Sequence, residues 1–137
     1  MANEAVKLYD ESSGHGGVIQ DYTVGNLDAI EKGALLSLQD GRIASGTVAI
    51  GVPLAGIAAR EKVSGDGRTQ LAVYKKGYFD MIASGVITFG SPVKAAGHSN
   101  YVIVAATGSG GSSGSQILGY AEDTSAADET ICIRVNL

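Results

Sequence analysis

Turn signals interrupt this 137-residue sequence about every ten residues, and no amphipathic segment between them is longer than two helical turns. The runs between the turns are short, and many of them alternate apolar and polar side chains, which is the spacing of a β-strand. The sequence also holds 20 glycines, a residue type that favours tight turns. The pattern predicts an all-β fold, either a small β-sandwich or a small β-barrel.

The strand pattern divides the chain into an arm and a body. We predict an N-terminal arm over residues 1–24 and a single β domain over residues 25–137. The arm holds one short extended segment and a glycine-rich break, and it can pair with its own sheet or with the edge of a partner. Strands are predicted at residues 6–9, 18–24, 34–38, 47–50, 53–59, 69–75, 78–82, 86–88, 92–95, 101–105, 116–121 and 130–136, with a break at Lys76-Gly77.

One phrase of the sequence occurs twice. The first copy consists of Gly56–Ala58, a charged loop and Thr69–Val73, and the second consists of Gly119–Ala121, an acidic loop and Thr130–Ile133. Both copies supply strands and turns without reactive side chains. The repeat therefore favours a scaffold over a catalyst.

A second, shorter repeat has a different spacing. Ile43–Gly46 recurs as Ile82–Gly85 at an offset of 39 residues, whereas the first repeat has an offset of about 63 residues. Each copy of the first phrase also follows a strand that a glycine begins, at Gly33 and at Gly90. Because the two offsets disagree, we interpret both repeats as a shared strand-and-turn pattern rather than as a duplicated domain.

Charge is unevenly distributed along the chain. The net charge is −4, with −5 over residues 1–31, +4 over residues 32–94 and −3 over residues 95–137. A basic middle between acidic ends indicates complementary patches within the protein or between subunits. The candidate subunit-interface residues are Arg60, Lys62 and Arg68; scattered solvated charge is the alternative. Acidic residues lie among these cations, and the chain as a whole is acidic, so we predict no nucleic-acid partner.

The residue types that carry chemistry lack the spacing that chemistry requires. Cys132 lies in an apolar alternation and is predicted to be a small core residue. His15 and His98 lie in glycine-bearing turns. A metal site needs three or four ligands and would have to recruit scattered carboxylates such as Asp10, Glu11 or Asp21 around His15, so both histidines are predicted to be surface turn residues. The Gly/Ser stretch 108–115 lacks a following Gly-Lys-Ser/Thr motif and is predicted to be a flexible hairpin tip. No apolar run approaches the length of a membrane helix. We predict no enzymatic activity, no cofactor, no small-molecule substrate and no membrane partner.

Three segments carry a resemblance to a known family: Pro53–Tyr74, Met1–Val6 and Phe79–Gly85. In them the chain resembles small tailed-phage proteins that are encoded near the major capsid gene, similar in type to head-decoration (cement) proteins such as that of phage lambda. The resemblance implies a β-tulip-like domain with an extended N-terminal arm, a homotrimer, a place on the capsid surface of the virion and the major capsid protein as partner. The arm would then contact the capsid by strand pairing, through Ala5, Val6, Lys7, Leu8 and Tyr9, with Val18–Val24 as a second possibility.

The hypothesis from sequence is a capsid decoration protein that stabilises the expanded phage head. The first alternative is another β-structured virion component, namely a head fibre base, a connector component or a minor tail protein. The second alternative is a carbohydrate-binding or enzymatic β domain. Six tyrosines and no tryptophan make a glycan-binding platform a poor fit.

Overall fold

The computed structural model describes residues 6–9, 19–46, 48–97, 100–105 and 116–137, and within these ranges it contains strands and no α-helix. The all-β prediction is therefore confirmed. The strands are β1 (Val6–Tyr9), β2 (Ile19–Thr23), β3 (Leu35–Gln39), β4 (Ile43–Ser45), β5 (Leu54–Ala58), β6 (Gln70–Tyr74), β7 (Lys76–Ala83), β8 (Pro92–Ala95), β9 (Tyr101–Val104), β10 (Gly119–Ala121) and β11 (Thr130–Asn136).

The strands form two closed barrels with the same connectivity. The first barrel has the order β2-β4-β3-β5-β6 and the second has the order β7-β9-β8-β10-β11. In each barrel the first strand pairs antiparallel with the fifth and parallel with the third. Closure gives most of the main-chain hydrogen-bonding groups a partner within the sheet, so a small barrel exposes little strand edge.

The repeated phrase of the sequence lies at equivalent places in the two barrels. Gly33 N–H donates to Ala58 O at 2.8 Å, and Gly90 N–H donates to Ala121 O at 2.7 Å. Two isolated bridges between the same loops are also equivalent: Ile30 with Lys62, and Ile87 with Ser125. The phrase therefore marks a repeated folding unit, which corrects the interpretation from sequence that it was only a shared strand-and-turn pattern.

The two copies of the second, shorter repeat do not lie at equivalent positions in the two barrels. Ile43–Gly46 begins in β4, the third strand of the first barrel, whereas Ile82–Gly85 begins in β7, the first strand of the second barrel. The similarity between these two segments is therefore local.

The glycine that opens each copy of the phrase is required by a close approach between strands. A Cβ atom on Gly56 would overlap the carbonyl oxygen of Tyr74, and the φ of Gly56 is 145°. A Cβ atom on Gly119 would overlap the carbonyl oxygen of Arg134. Both glycines thus allow the fourth strand of a barrel to lie directly against the fifth.

The two barrels share an apolar core. Along β7 the side chains alternate between buried and half-buried positions, as expected for one face turned to the core. The core of the second barrel includes three buried residues of the first barrel, Leu35, Leu54 and Ile57. A separate cluster, which includes Tyr22, fills the interior of the first barrel. The contact between the barrels is thus built from core residues of both.

A buried amide joins the barrels at one point. Asn100, just before β9, is 2% exposed. Its Oδ1 accepts a hydrogen bond from Leu35 N–H at 2.8 Å, and its Nδ2 donates to Gly33 O at 2.8 Å. The side chain thus satisfies two main-chain groups at the start of β3 in the other barrel.

A single residue, Lys75, connects β6 to β7 and so joins the two barrels. Its Nζ donates to Tyr22 Oη at 2.6 Å and to Ala55 O at 3.0 Å, and it lies 5.0 Å from the centre of the Tyr22 ring. Leu137 N–H donates to Lys75 O at 3.0 Å. The connection is thus fixed by contacts to the first barrel and to the end of the chain.

The segment assigned to the arm, residues 1–24, contains two strands with different positions. β1 is a sixth strand that pairs antiparallel with β7 of the second barrel. β2 is an integral strand of the first barrel, and its Tyr22 is buried. The predicted glycine-rich break between them lies outside the described residues.

Three local predictions were wrong. The strand predicted at 47–50 is replaced by β4 at Ile43–Ser45, because pairing with β3 begins directly after a tight turn and residues 48–50 are irregular. The strand at 86–88 is reduced to the single bridge at Ile87. The break at Lys76-Gly77 lies inside β7, where Gly77 has a φ of 143°.

Replacing Asn100 tests the connection between the barrels. Asn100→Ala leaves Leu35 N–H and Gly33 O buried without their partner, and each lost partner costs about 1–3 kcal/mol. We therefore expect a fall of about 2–4 kcal/mol in the free energy of unfolding, measured by urea denaturation. Asn136→Ala, at an exposed position of β11, is the control. Equal stability of the two variants would contradict this role.

Replacing Gly119 tests the close approach of β10 to β11. Gly119→Ala places a methyl group against the carbonyl of Arg134, and we expect the free energy of unfolding to fall by roughly 2–4 kcal/mol. A Cβ atom on Gly85 meets nothing within 4 Å, so Gly85→Ala is expected to change stability by less than about 0.5 kcal/mol. Thermal or urea unfolding of both variants measures the difference, and a Gly119→Ala protein as stable as Gly85→Ala would show that the strands can separate without penalty.

Candidate interaction surfaces

The candidate capsid-binding segment lies on an edge of the second barrel. Ala5 is outside the described residues, and Val6–Tyr9 form β1. Val6 is opposite Asp80 and Lys7 is opposite Phe79, with an irregularity in the pairing after Lys7. β9 covers the same edge of β7 further along, so β1 occupies the part of that edge that β9 does not reach. The segment is thus a strand added to a closed barrel.

Arg60 and Arg68 are brought together on the surface of the first barrel. Both are exposed, and both line an open depression of about 640 Å³, here called the basic groove, together with Lys32, Glu61 and the outer face of β6. Three cations and one carboxylate make the groove net positive. A surface of this kind suits an acidic protein partner.

Lys62 lies in a different environment from the two arginines. Its side chain is fully buried. Its Nζ donates to Asn26 O at 2.7 Å, to Asp66 Oδ1 at 3.1 Å and to Val63 O at 3.3 Å. A buried ammonium needs such partners to offset its lost hydration. Lys62 therefore holds the loop between Arg60 and Arg68 in place. Its charge is balanced by groups of the same chain and is not presented on the surface.

Asp66 completes the same loop. Its carboxylate accepts hydrogen bonds from Arg68 N–H at 2.9 Å and from Val63 N–H at 3.3 Å. The Arg68 N–H bond is the main cause that lowers the pKa of Asp66, and the hydrogen bond from Lys62 lowers it further, whereas partial burial acts in the opposite direction. These contacts fix the main chain that carries Arg68 beside the basic groove.

A second surface, not identified from sequence, crosses the outside of the second barrel. Tyr78, Arg134, Tyr120 and Pro92 are successive cross-strand partners on β7, β11, β10 and β8. The guanidinium of Arg134 lies 5.7 Å from the centre of the Tyr120 ring, within the range of a cation–π contact. Tyrosine and arginine are enriched at protein interfaces. This aromatic–arginine row is therefore a candidate contact surface.

The thiol has the environment of a structural residue. Cys132 is half-buried, and burial, assisted by the negative charge of Asp80, raises its pKa to about 11. The thiol therefore stays protonated and weakly nucleophilic at neutral pH. His15, His98 and the stretch 108–115 lie outside the described residues.

The described part of the chain contains no group of three or more histidine, cysteine or acidic side chains placed to hold a metal ion. It also has no helix with the length and apolar character needed to cross a membrane.

The fold is similar to that of a solved phage protein, the N base of the head fibre protein gp8.5 of bacteriophage phi29. The TM-score is 0.53 and the sequence identity is 17%, and the alignment covers 87% of this chain and 93% of the other. At this identity the likeness concerns the fold. No protein-family model matches the sequence, and no curated protein matches it.

The pH dependence of stability tests the role of Asp66. Because folding lowers its pKa, Asp66 contributes stability above its unfolded pKa of about 4, and this contribution is lost as the pH falls through the lower folded value. We expect Asp66→Asn to be less stable than the wild type at pH 7, with the difference shrinking below about pH 4. Urea unfolding at pH 7, 5 and 3 measures it. A difference that stays constant down to pH 3 would contradict the assignment.

Proposed function

We propose that this chain is a structural protein of a tailed-phage head and forms the base of a head fibre on the outer surface of the capsid. The observation that carries the proposal is the fold likeness to the N base of a phage phi29 head fibre protein, which extends over 87% of this chain and 93% of the other. The resemblance of three sequence segments to phage head proteins supports the same class of function. We propose no enzymatic role and no cofactor.

The geometry suits attachment more than chemistry. Two barrels with a shared core and a one-residue connection make a stiff platform. A fibre base needs one surface for the capsid and another for its own subunits or the fibre. In this proposal β1 and the basic groove with Arg60 and Arg68 face the major capsid protein. The aromatic–arginine row remains for a subunit or fibre contact. A homotrimer is part of the proposal, as the resemblance to lambda-type head-decoration proteins implies.

A second candidate is decoration of the shell. A protein that binds the expanded shell and not its precursor stabilises the expanded state by mass action. The resemblance to lambda-type head-decoration proteins favours this reading, and many copies on a symmetric lattice would add small contributions into a large one. Decoration and fibre attachment share the capsid surface and the major capsid protein as partner, and they differ in what binding does to the shell.

Cosedimentation with capsids tests the proposal and separates the two candidates. The purified protein is mixed with expanded and unexpanded shells of the phage that encodes it, the bound stoichiometry is measured, and the shells are then heated. A fibre base is expected to bind expanded and unexpanded shells equally, so that it does not shift the balance between them. A decoration protein is expected to prefer expanded shells and to raise their melting temperature. Absence of binding to either shell would overturn both.

Deletion of residues 1–17 tests which segment makes the attachment. The deletion removes β1, and we expect it to abolish cosedimentation with shells while the barrels remain folded, because each barrel closes without β1. Circular dichroism and thermal unfolding provide the control for folding. Attachment of the truncated protein at the level of the full chain would show that another surface, such as the basic groove, binds the capsid.

A further inference from the structure

Residues 62–66 of the first barrel and residues 125–129 of the second form equivalent turns, here called the lysine turn and the serine turn. The first residue of each turn makes one of the two isolated bridges described above. The fourth residue has a positive φ in both turns, 78° at Gly65 and 64° at Asp128. The first residues of the two turns, a lysine and a serine, therefore take the same place in the repeated unit.

The hydrogen bonds of the two turns also match. The carboxylate of the fifth residue accepts the N–H of the second residue, at 3.3 Å in the lysine turn and at 2.6 Å in the serine turn. The N–H of the fourth residue donates to Asn26 O at 2.8 Å in the lysine turn and to Ala83 O at 2.7 Å in the serine turn. Both turns thus bring together the same set of oxygen atoms.

In the lysine turn these oxygens hold an ammonium group. Lys62 Nζ donates to Asn26 O at 2.7 Å, to Asp66 Oδ1 at 3.1 Å and to Val63 O at 3.3 Å. A carbonyl oxygen has two lone pairs, so it can accept this bond and the main-chain bond of the turn together. The corresponding groups of the serine turn are Ala83 O, the Glu129 carboxylate and Ala126 O.

The serine turn has a buried hydroxyl where the lysine turn has the side chain of Lys62. Ser125 is 6% exposed, and its Oγ has no hydrogen-bond partner among the described residues. Buried hydroxyl groups in proteins are bonded to protein, water or an ion in the large majority of cases. Because the main chain of the two turns is equivalent, the Cβ atoms of Ser125 and Lys62 have the same direction, and Ser125 Oγ takes the place of a lysine Cγ. The hydroxyl is therefore close to the place that corresponds to the ammonium.

The charge of the serine turn favours a cation at this place. The loop between β10 and β11, residues 122–129, contains four acidic residues and no lysine or arginine, whereas the equivalent loop of the first barrel, residues 59–69, contains three cations and two acidic residues. Arg134 on β11 comes within 4.0 Å of Glu122, at the far end of the loop from Glu129. A positive charge in the serine turn would thus be attracted as the Lys62 ammonium is in the other turn.

The donor set indicates the charge of the ion. Two carbonyls, a hydroxyl and one carboxylate resemble the oxygen surroundings of potassium, whose sites are built largely from carbonyl oxygens. Calcium takes six to eight oxygens and usually several carboxylates. Within the described ranges no three acidic side chains are placed to hold a metal ion together. A singly charged ion therefore fits these groups better than a divalent one.

We propose that the serine turn binds one monovalent cation of the size of an ammonium group, potassium or ammonium itself, between Ser125 Oγ, Ala83 O, Ala126 O and the Glu129 carboxylate. The ion is structural: it holds the serine turn against the end of β7, as the Lys62 ammonium holds the lysine turn against Asn26. One barrel thus carries its cation on a side chain, and the other takes it from solution.

Thermal unfolding in about 0.2 M potassium chloride, compared with choline chloride at the same concentration, tests the proposal. We expect potassium to raise the melting temperature of the wild type by roughly 2–5 °C, because an ion that binds only the folded chain stabilises it. Ser125→Ala is expected to lose this response. Ser125→Lys carries its own ammonium, so it is expected to melt in choline chloride as high as the wild type does in potassium chloride, with no further response to potassium.

Ser64→Ala is the matched control, since Ser64 is an exposed serine of the lysine turn, and it is expected to keep the full response. Crystals grown with thallium(I), a potassium analogue, are expected to show an anomalous peak at the serine turn.

The proposal is overturned if the wild type melts at the same temperature in both salts, which would mean that a water molecule bonds Ser125 Oγ. It is also overturned if Ser125→Ala keeps the response, or if calcium chloride stabilises the chain and potassium does not. If Ser125→Lys fails to fold, the wild type and Ser125→Ala still decide. The measurement needs no capsid, so its result is independent of the proposed role on the phage head.

Discussion

The apolar contact between the two barrels is the interaction on which the rest of the structure depends. Each barrel spans only roughly 60 residues, a size at which a domain buries only about 60% of the surface that its unfolded chain exposes and is marginally stable alone. Leu35, Leu54 and Ile57 of the first barrel lie in the core of the second, so each barrel completes the burial of the other. Asn100 adds a directional constraint to this contact, because its amide is hydrogen-bonded to Leu35 N–H and to Gly33 O at the start of β3.

Much of the fold could be predicted from sequence because its signals are local. Alternation of side chains located most strands within a residue or two, and the glycines of the doubled phrase marked the true repeat. The closing pairs could not be predicted, because the parallel contact between Thr23 and Ile43 depends on how five strands meet around a barrel. The strand predicted at 47–50 was wrong for the same reason, since the strand that closes the barrel, β4, lies earlier, at Ile43–Ser45. The strand recognised at Val6–Tyr9 had no sequence signal for its partner, β7.

The same distinction between local and long-range signals applies to the candidate surfaces. Arg60 and Arg68 flank one loop, so their proximity could be predicted from spacing. The burial of Lys62 could not, because its ammonium binds the carbonyl of Asn26, 36 residues away in sequence. The aromatic–arginine row is assembled from four strands by register alone. Surfaces that are assembled by the register of strand pairing cannot be recognised in the linear sequence.

The one-residue connection at Lys75 has a mechanical consequence. A hinge needs several residues that can change φ and ψ, but here a single residue separates two closed sheets, and its side chain and carbonyl are both bonded. A load applied to one barrel therefore passes to the other with almost no slack. The two barrels therefore move as one body, and a force applied to one of them is transmitted to the surface that holds the other.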